Sequence, residues 1–494
     1  MAATVVGVDS STQSCKVVVC DATTGAVLRR GRAPHPEGTE ADPEAWWQAL
    51  QQALRDAGAE TLEGVGAIAV AGQQHGLVAL DADGTPVRPA LLWNDTRSAP
   101  QAADLVRELG GARAWAEAVG TVPVAALTAA KLRWLADHEP HAADRTATVL
   151  LPHDWLTWRL CGGPASDAVP ATDRGDASGT GYWSPAEGQY RTDLLRLAFR
   201  DRAPRLPRVL APHEAAGHTP GGTLVAAGTG DNMGAAFGLG LAPGEAVISL
   251  GTSGTVFARS PRPTGDPGGA VAGFADATGQ FLPLVCTLNA ARVLSSTARM
   301  LGVDLDALNA LARQAAPGAD GLVLLPYLGG ERTPNLPDAT GSLLGMQVNN
   351  MHPHNLARAA VEGMLCGMAD ALDELRGQNV PVERLLLIGG AAKAPVVAEA
   401  AAQIFGMPVT VPQPDEYVAL GAARQAAWAL AGTPEPPAWP RPDGTDVPAP
   451  ADGGTAGRSV RQAYARARAQ VHGVDAEGGW RACPSTCAAW PTRR

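Results

Sequence analysis

The sequence predicts an α/β fold built as two domains of one plan, and three observations carry that prediction. A chain of 494 residues exceeds what one hydrophobic core organises, so two or three domains are expected. Short apolar, β-branched runs alternate with amphipathic stretches along the chain, the pattern of the α/β class. An apolar run, a Ser/Gly-Thr turn and a second apolar run occur near the start and again at 246–258, as if the chain restarted on the same plan.

Taken in order, residues 4–8 read as a strand, DSSTQSCK as a tight polar turn and 17–20 as a second strand. A third strand follows the turn at 21–25. Asp42 as cap and Pro43 as first helical residue open a helix over 42–57, with Trp46, Trp47, Leu50, Ala53 and Leu54 on one face. A buried strand at 65–71 runs into Gly72-Gln-Gln-His-Gly76. Residues 77–81 and 87–92 read as strands joined by an Asp83-Gly84 turn, ending at Trp93-Asn94-Asp95. Helices are expected near 99–109 and 126–138. The Pro-, Gly- and Arg-rich stretch 200–222 reads as a connection, followed by an apolar run at 223–227 and by GTGDNMGAAFGLG. After the restart at 246–258, a strand at 384–388, a turn at 389–393 and a helix at 395–405 are expected. A short strand (408–411) and a helix (418–431) follow. Residues 433–456 read as an exposed loop, 458–471 as a helix and 473–494 as a disordered tail. The domains are thus expected at 1–240 and 241–472.

The composition excludes several classes of function. Apolar residues make up 46% and charged residues 18%, a globular balance. A net charge of −10, with no long run of Lys or Arg, argues against a nucleic-acid partner. The 7 cysteines are scattered and odd in number, which suits reduced thiols in a cytosol better than a disulfide framework. Cys483 and Cys487 have no matching pair for zinc. No signal peptide and no membrane-spanning stretch is expected.

The chemistry-bearing residues cluster in the turns. Ser10, Ser11 and Thr12 form one turn of hydroxyls and backbone N–H groups. Gly251, Thr252, Ser253 and Gly254 form the other; both are natural phosphate cradles. Asp9, just before the first turn, suits a magnesium ion held through water against phosphate, or equally a cap on its own turn. Lys16 could offset phosphate charge or stand solvated at the surface. Asp231, after a Gly-rich turn, suits a general base, or a plain helix N-cap. His75 and Gln74 end a predicted strand where α/β sheets bind ligands, and would suit a polyhydroxyl compound; an ordinary turn histidine is the alternative. Trp93 and Asp95 end a nearby strand and could give an apolar wall and a hydroxyl acceptor, or be a core Trp beside a surface Asp. Gly389 and Gly390 allow close approach to a ring or phosphate. Neither a dinucleotide fingerprint nor a P-loop is present.

These pieces occur in one order. GVDSSTQSCK (7–16), GQQHG (72–76), WNDTR (93–97), GTGDN (228–232), SLGTSGT (249–255), GGERTP (329–334) and LLIGGAAKAP (386–395) together resemble the FGGY carbohydrate kinases. HDWLTWRLCG (153–162), TDRGDASGTGYW (172–183) and VRQAYARAR (460–468) resemble the xylulokinase branch. The likeness spans about residues 4–470. It implies two actin-like (ribonuclease H-like) domains flanking a deep cleft. The N-terminal domain would bind sugar and carry catalysis, and the C-terminal domain would bind ATP. It implies ATP and Mg²⁺ as cofactors and D-xylulose as acceptor, with Asp231 as base and Asp9 and Asp231 at the metal, through water. Gln74, His75, Asp95 and Asn232 would contact the sugar. Ser11, Thr12, Lys16, Gly251, Thr252, Gly389, Gly390 and Lys393 would contact ATP. A cytoplasmic location with a small-molecule sugar, neither membrane nor nucleic acid as partner, follows, and the resemblance admits a homodimer. The chain departs from the pattern at Ser11, where many relatives have Gly, and at Gln74, where many bacterial ones have Met. Rival readings are a kinase of another polyol (ribulose, gluconate, glycerol or an alditol), an actin-like polymer or chaperone ATPase, and a sugar-sensing regulator.

Overall fold

The computed structural model describes residues 3–474. Two mixed sheets organise the chain, and they repeat one topology. In the first, β1 (Thr4–Ser10) pairs antiparallel with β2 (Ser14–Asp21), and β2 with β3 (Val27–Pro34). On its other side β1 pairs parallel with β4 (Val65–Gly72). Beyond β4 lie β5 (Ala215–His218) and β6 (Leu224–Ala226), and β7 (Thr229–Gly230) also pairs with β4. The second sheet starts from β8 (Glu245–Leu250) and β9 (Gly254–Ala258), again antiparallel, with β10 (Ala272–Ala275) and β11 (Phe281–Thr287) beyond. On its other side β8 pairs parallel with β12 (Arg384–Ile388), followed by β13 (Val409–Pro412) and β14 (Gly444–Val447). Two meanders flanked by parallel strands, each with its turn at the same end of the first strand, confirm the expected repeat.

The strands form where apolar β-branched residues run together: Val5, Val6 and Val8 of β1 and Ile68 and Val70 of β4 are fully buried. Helix α1 (Pro43–Asp56) starts as the sequence predicts, with Asp42 accepting from the backbone N–H of Glu44, and covers one face of the first sheet with Trp46, Leu50 and Ala53. The second sheet is covered by α5 (Pro353–Gly377) and α6 (Pro395–Phe405), labelled after the shorter α2 (Pro152–Leu160), α3 (Arg174–Ser178) and α4 (Asp231–Gly238). Helix α7 (Tyr417–Ala431) arises late in the chain yet packs on the first sheet, its Ala419, Ala422, Ala423 and Ala426 buried against Val5, Ala67 and Ala69. Glycine permits this contact: a Cβ on Gly7 would lie 1.9 Å from the Ala419 carbonyl oxygen. Helices α4 and α7 cross equally closely, since a Cβ on Gly421 would lie 1.9 Å from the Gly234 carbonyl oxygen.

Three local expectations are corrected. The segments 77–81 and 87–92 do not make a regular hairpin. Val78–Leu80 pairs with Thr148–Leu150, Ala90–Leu91 pairs with Glu40–Ala41, and only isolated bridges join the two segments. Each finds a better apolar partner elsewhere in the domain. The connection 200–222 carries β5 and a short strand, Arg208–Leu210. The loop 433–456 contributes edge strand β14, whose backbone pairs with β13 despite the prolines around it. The tail expected at 473–494 lies, from residue 475 on, outside the described residues. Among the described residues no helix is long and apolar enough to cross a membrane.

Candidate active site

Between the sheets opens a cleft of about 680 Å³, a size suited to a small ligand. Both turns reach it. Asp9, Ser11 and Lys16 line it from the first domain, and Ser249 and Gly251 from the second. The C-terminal end of β12 adds Ile388, Gly389 and Gly390, then Lys393; Pro412 and Glu416 complete the far wall. Gly389 sits at φ 96°, and a Cβ there would lie 2.5 Å from the Leu250 carbonyl oxygen, so only glycine fits. Asp231 and Asn232 stand at the floor, at the start of α4.

Asp9 is buried. The Ser11 hydroxyl donates to its Oδ1, and Lys16 Nζ lies 3.5 Å from its Oδ2. Desolvation raises the Asp9 pKa despite the opposing charge of Lys16. Burial works against the Lys16 charge, yet Asp9 and Glu416 hold its pKa above the ordinary lysine value; Lys16 donates to Glu416 at 2.6 Å. Asp231 is pushed up to about 7, by desolvation first and then by the charges of Asp9 and Asp176. Its Oδ1 accepts from the backbone N–H of Asn232 at 2.8 Å and from Asn232 Nδ2 at 3.0 Å. Its Oδ2 has no partner among the described residues.

The GQQHG and GTGDN segments interlock. β7 pairs Thr229 with Ala71 and Gly230 with Gly72. Gln74 Oε1 accepts from Asn232 Nδ2 at 3.1 Å, and the Gln74 amide packs so tightly on Gly230 that a Cβ there would lie 2.7 Å from its carbonyl carbon. Gln74 Nε2 is buried without a partner, a donor left over beside Asp231. His75 takes φ 67°, uncommon for a residue with a side chain. Its Nδ1 lies 2.9 Å from the Gly179 carbonyl, which can only accept, so Nδ1 carries the proton and Nε2 is the acceptor. Burial, then the charges of Lys131 and Arg332, lower the His75 pKa to about 3, so the ring is neutral.

Not every expected residue reaches the cleft. Thr12 Oγ1 accepts from the Trp93 indole at 2.8 Å and, like Gln74, His75, Asp95 and Thr252, does not line it. Thr252 uses its carbonyl on the backbone N–H groups of Ala290 and Arg292. The Asp95 carboxylate is taken by Arg97, at 3.0 Å from its backbone N–H and 2.9 Å from Nε. Residues that the pattern reading misses include Glu416, partner of Lys16, and Lys131, wholly buried with Nζ donating to the carbonyls of Ala125 and Ala126. Arg332 approaches from the second domain, close enough for its charge to act on His75 and Lys131. It lies in GGERTP, and that motif was the available signal.

The cleft fits a magnesium-nucleotide and a polyol. A buried carboxylate, Asp9, and a half-buried one, Asp231, face one cavity, lysines stand on its walls, and behind Asn232 the Gln74 amide keeps an unpartnered donor.

Comparison with known proteins agrees with this geometry. Residues 4–238 match the N-terminal domain of the FGGY family of carbohydrate kinases, and residues 246–430 match its C-terminal domain. The xylulose kinase of Streptomyces coelicolor is 49% identical over 441 residues, 87% of this chain and 88% of that protein. The xylulose kinase of Escherichia coli is 35% identical over 449 residues, 87% of this chain and 90% of that protein. The crystal structure of xylulose kinase from Bifidobacterium adolescentis superposes with a TM-score of 0.86 at 46% identity, covering 94% of this chain and 99% of that one. Plasmodium falciparum glycerol kinase with ADP shares the fold, with a TM-score of 0.82 at 18% identity over 95% of this chain and 98% of that one.

Proposed function

The chain belongs to the FGGY family of carbohydrate kinases, and from that premise we propose that it transfers the γ-phosphoryl group of ATP to the 5-hydroxyl of D-xylulose, giving D-xylulose 5-phosphate and ADP. The observation that carries the chemistry is the placement of Asp231 and Asn232, with Gln74 hydrogen-bonded to Asn232 from behind, at the floor of a cleft whose walls hold both phosphate-type turns.

Asp231 accepts the proton of the sugar hydroxyl on its unpartnered Oδ2 as that oxygen bonds to the γ-phosphorus and the bond from phosphorus to the ADP oxygen breaks. Asn232 fixes the carboxylate through Oδ1. Gln74 Nε2 donates to a sugar hydroxyl, and His75 Nε2 accepts from another. Lys16, Ser11 and Gly251 face the phosphates, and Gly389 and Gly390 let the nucleoside lie against the backbone. Asp9 and Asp231 would hold Mg²⁺ through water, and the ion would neutralise charge on the β- and γ-phosphates. The small-molecule sugar is the partner, and a cytoplasmic site of action suits it.

The test is ADP release with Mg²⁺-ATP against D-xylulose, D-ribulose, L-ribulose, D-gluconate, glycerol and xylitol, each beside a no-sugar blank. Strong stimulation by D-xylulose alone is expected. Preference for another polyol overturns the substrate, and turnover indifferent to every sugar overturns the kinase reading. Asp231→Asn is expected to lower sugar phosphorylation by about 10²–10⁴-fold with ADP affinity kept. Near-normal turnover in that variant refutes the base.

A further inference from the structure

Behind the floor of the cleft lies a wholly buried cluster that the reaction chemistry does not use: His153 and Asp154 of α2, Asp173 at the end of the short strand Ala171–Asp173, and Asp176 of α3. His153 Nδ1 lies 2.6 Å from Asp176 Oδ2 and 3.2 Å from Asp154 Oδ1. Its Nε2 lies 3.2 Å from the Ala227 carbonyl oxygen. A carbonyl can only accept, so Nε2 is protonated. A carboxylate 2.6 Å away on the other side is the geometry of a charge-assisted bond, so Nδ1 is protonated too. Both nitrogens donating makes the ring an imidazolium. Desolvation opposes that charge, but the fields of Asp154, Asp176 and Asp173 outweigh it and hold the His153 pKa above the ordinary histidine value, while burial in turn raises the pKa of Asp154 and of Asp173. The three residues also lie close enough to suggest a metal site, but two ligands of a tetrahedral ion bonded at about 2.0–2.2 Å stand about 3.4 Å apart, whereas Nδ1 and Oδ2 at 2.6 Å are at hydrogen-bond distance.

The cluster holds the segment that delivers the base. Nε2 pins the Ala227 carbonyl. Asp173 Oδ2 accepts from the Thr229 hydroxyl at 2.9 Å, while the same carboxylate caps α3 through the N–H groups of Gly175 and Asp176. Between those two anchors the imidazole packs closely against Gly228, where a Cβ would stand 2.5 Å from His153 Cδ2. The opposite side of the segment is held by the pairing of β7 with β4. Ala227 to Gly230 is therefore clamped from both sides, and Asp231 follows directly.

We propose that His153 is a positioning residue for Asp231: a buried imidazolium, locked by Asp154 and Asp176, whose Nε2–H fixes the Ala227 carbonyl and so the backbone that aims the general base. The inference rests on the assignment of Asp231 as base, and its test separates the two.

Two substitutions split the ring's functions. Glutamine places its amide nitrogen near the position of Nε2, and asparagine near that of Nδ1. His153→Gln keeps the bond to Ala227 and loses the one to Asp176; His153→Asn does the reverse. Both lose the charge, so a merely structural role moves both alike. Thermal midpoints are expected to fall by similar amounts. The kcat for D-xylulose is expected to stay within about fivefold of wild type in His153→Gln and to fall at least about thirtyfold in His153→Asn, since loss of about 2 kcal/mol of transition-state stabilisation is that factor. KM for D-xylulose and calorimetric ADP affinity are expected to change less than threefold in either. Equal kcat losses in the two variants, or KM rising in step with the fall of kcat, overturn the proposal. If Asp231 is not the base, Asp231→Asn stays active, and that result is independent of the His153 pair.

Discussion

Asp231, at the floor of the cleft, and His75, in the GQQHG segment that interlocks with it, carry opposite pKa shifts. Asp231 is raised to about 7, chiefly by desolvation. A base must be ionised, so activity is gained as pH rises through that value and lost below it. The expected outcome is a kcat/KM for xylulose that falls tenfold per unit on the acid side of about pH 7, where an ordinary aspartate would stay active to pH 4. A flat profile from pH 5 to 8 rules out that environment for Asp231. His75 is shifted the other way and stays neutral, so Nε2 accepts a hydroxyl hydrogen throughout this range. His75→Leu is expected to raise KM for xylulose by about 5- to 12-fold with KM for ATP unchanged, because one buried hydrogen bond between neutral groups contributes about 1–1.5 kcal/mol. A KM within twofold of wild type shows that the sugar does not use this nitrogen.

Among elements, the glycines around β7 set the tolerances. Gly228 has φ 77°, and a Cβ there would lie 2.6 Å from the Val70 carbonyl oxygen, a backbone atom that cannot swing away. Gly228→Ala is expected to cost about 2–4 kcal/mol, combining left-handed strain with overpacking, and to lower the denaturant midpoint at unchanged slope. A loss under 0.5 kcal/mol, on the order of a neutral surface change, contradicts the packing. Much of this was legible in the sequence. The strands at 4–8, 65–71, 246–250 and 384–388 announce themselves by uninterrupted apolar runs, and α1 by its Asp42-Pro43 start. Asp9, Asp231 and the two glycines that follow β12 stand in turns readable from the sequence. The pattern reading finds no element between 259 and 383. For the 25-residue α5 the reason is burial on nearly every side, which leaves no polar face to create a period, whereas the helices Ala291–Leu301 and Leu305–Gln314 are buried on one face only and carried a period that the reading missed. Thr12 and Asp95 were legible as polar residues near a strand end, but their partners, Trp93 and Arg97, are a matter of tertiary packing. The His153 cluster was equally hidden, because its four members come from three separate elements.

For the whole molecule, two sheets of one topology make a cleft whose walls come from different ends of the chain. Lys16 and Arg30 of the first domain pair with Glu416 and Asp415, just before α7, at 2.6 Å in both cases. Helix α7 then crosses α4 with no room for a side chain between Gly421 and Gly234. Gly421→Val is expected to force these helices apart and lower both the thermal midpoint and kcat, since α4 begins with the base. Unchanged kcat despite a lower midpoint uncouples the crossing from the site. The placement of α7 has a consequence for how the protein is made. The face of the first sheet formed by Val5, Ala67, Ala69 and Ala226 is covered by residues 417–431, with Trp439 packed beside them. During synthesis that face stays bare while β8 to β13 of the second sheet are translated, so the nascent chain carries a sticky half-domain until α7 emerges. A truncated product ending near residue 240 has no way to bury it, and is a substrate for holding chaperones and proteases rather than a free-standing sugar-binding unit.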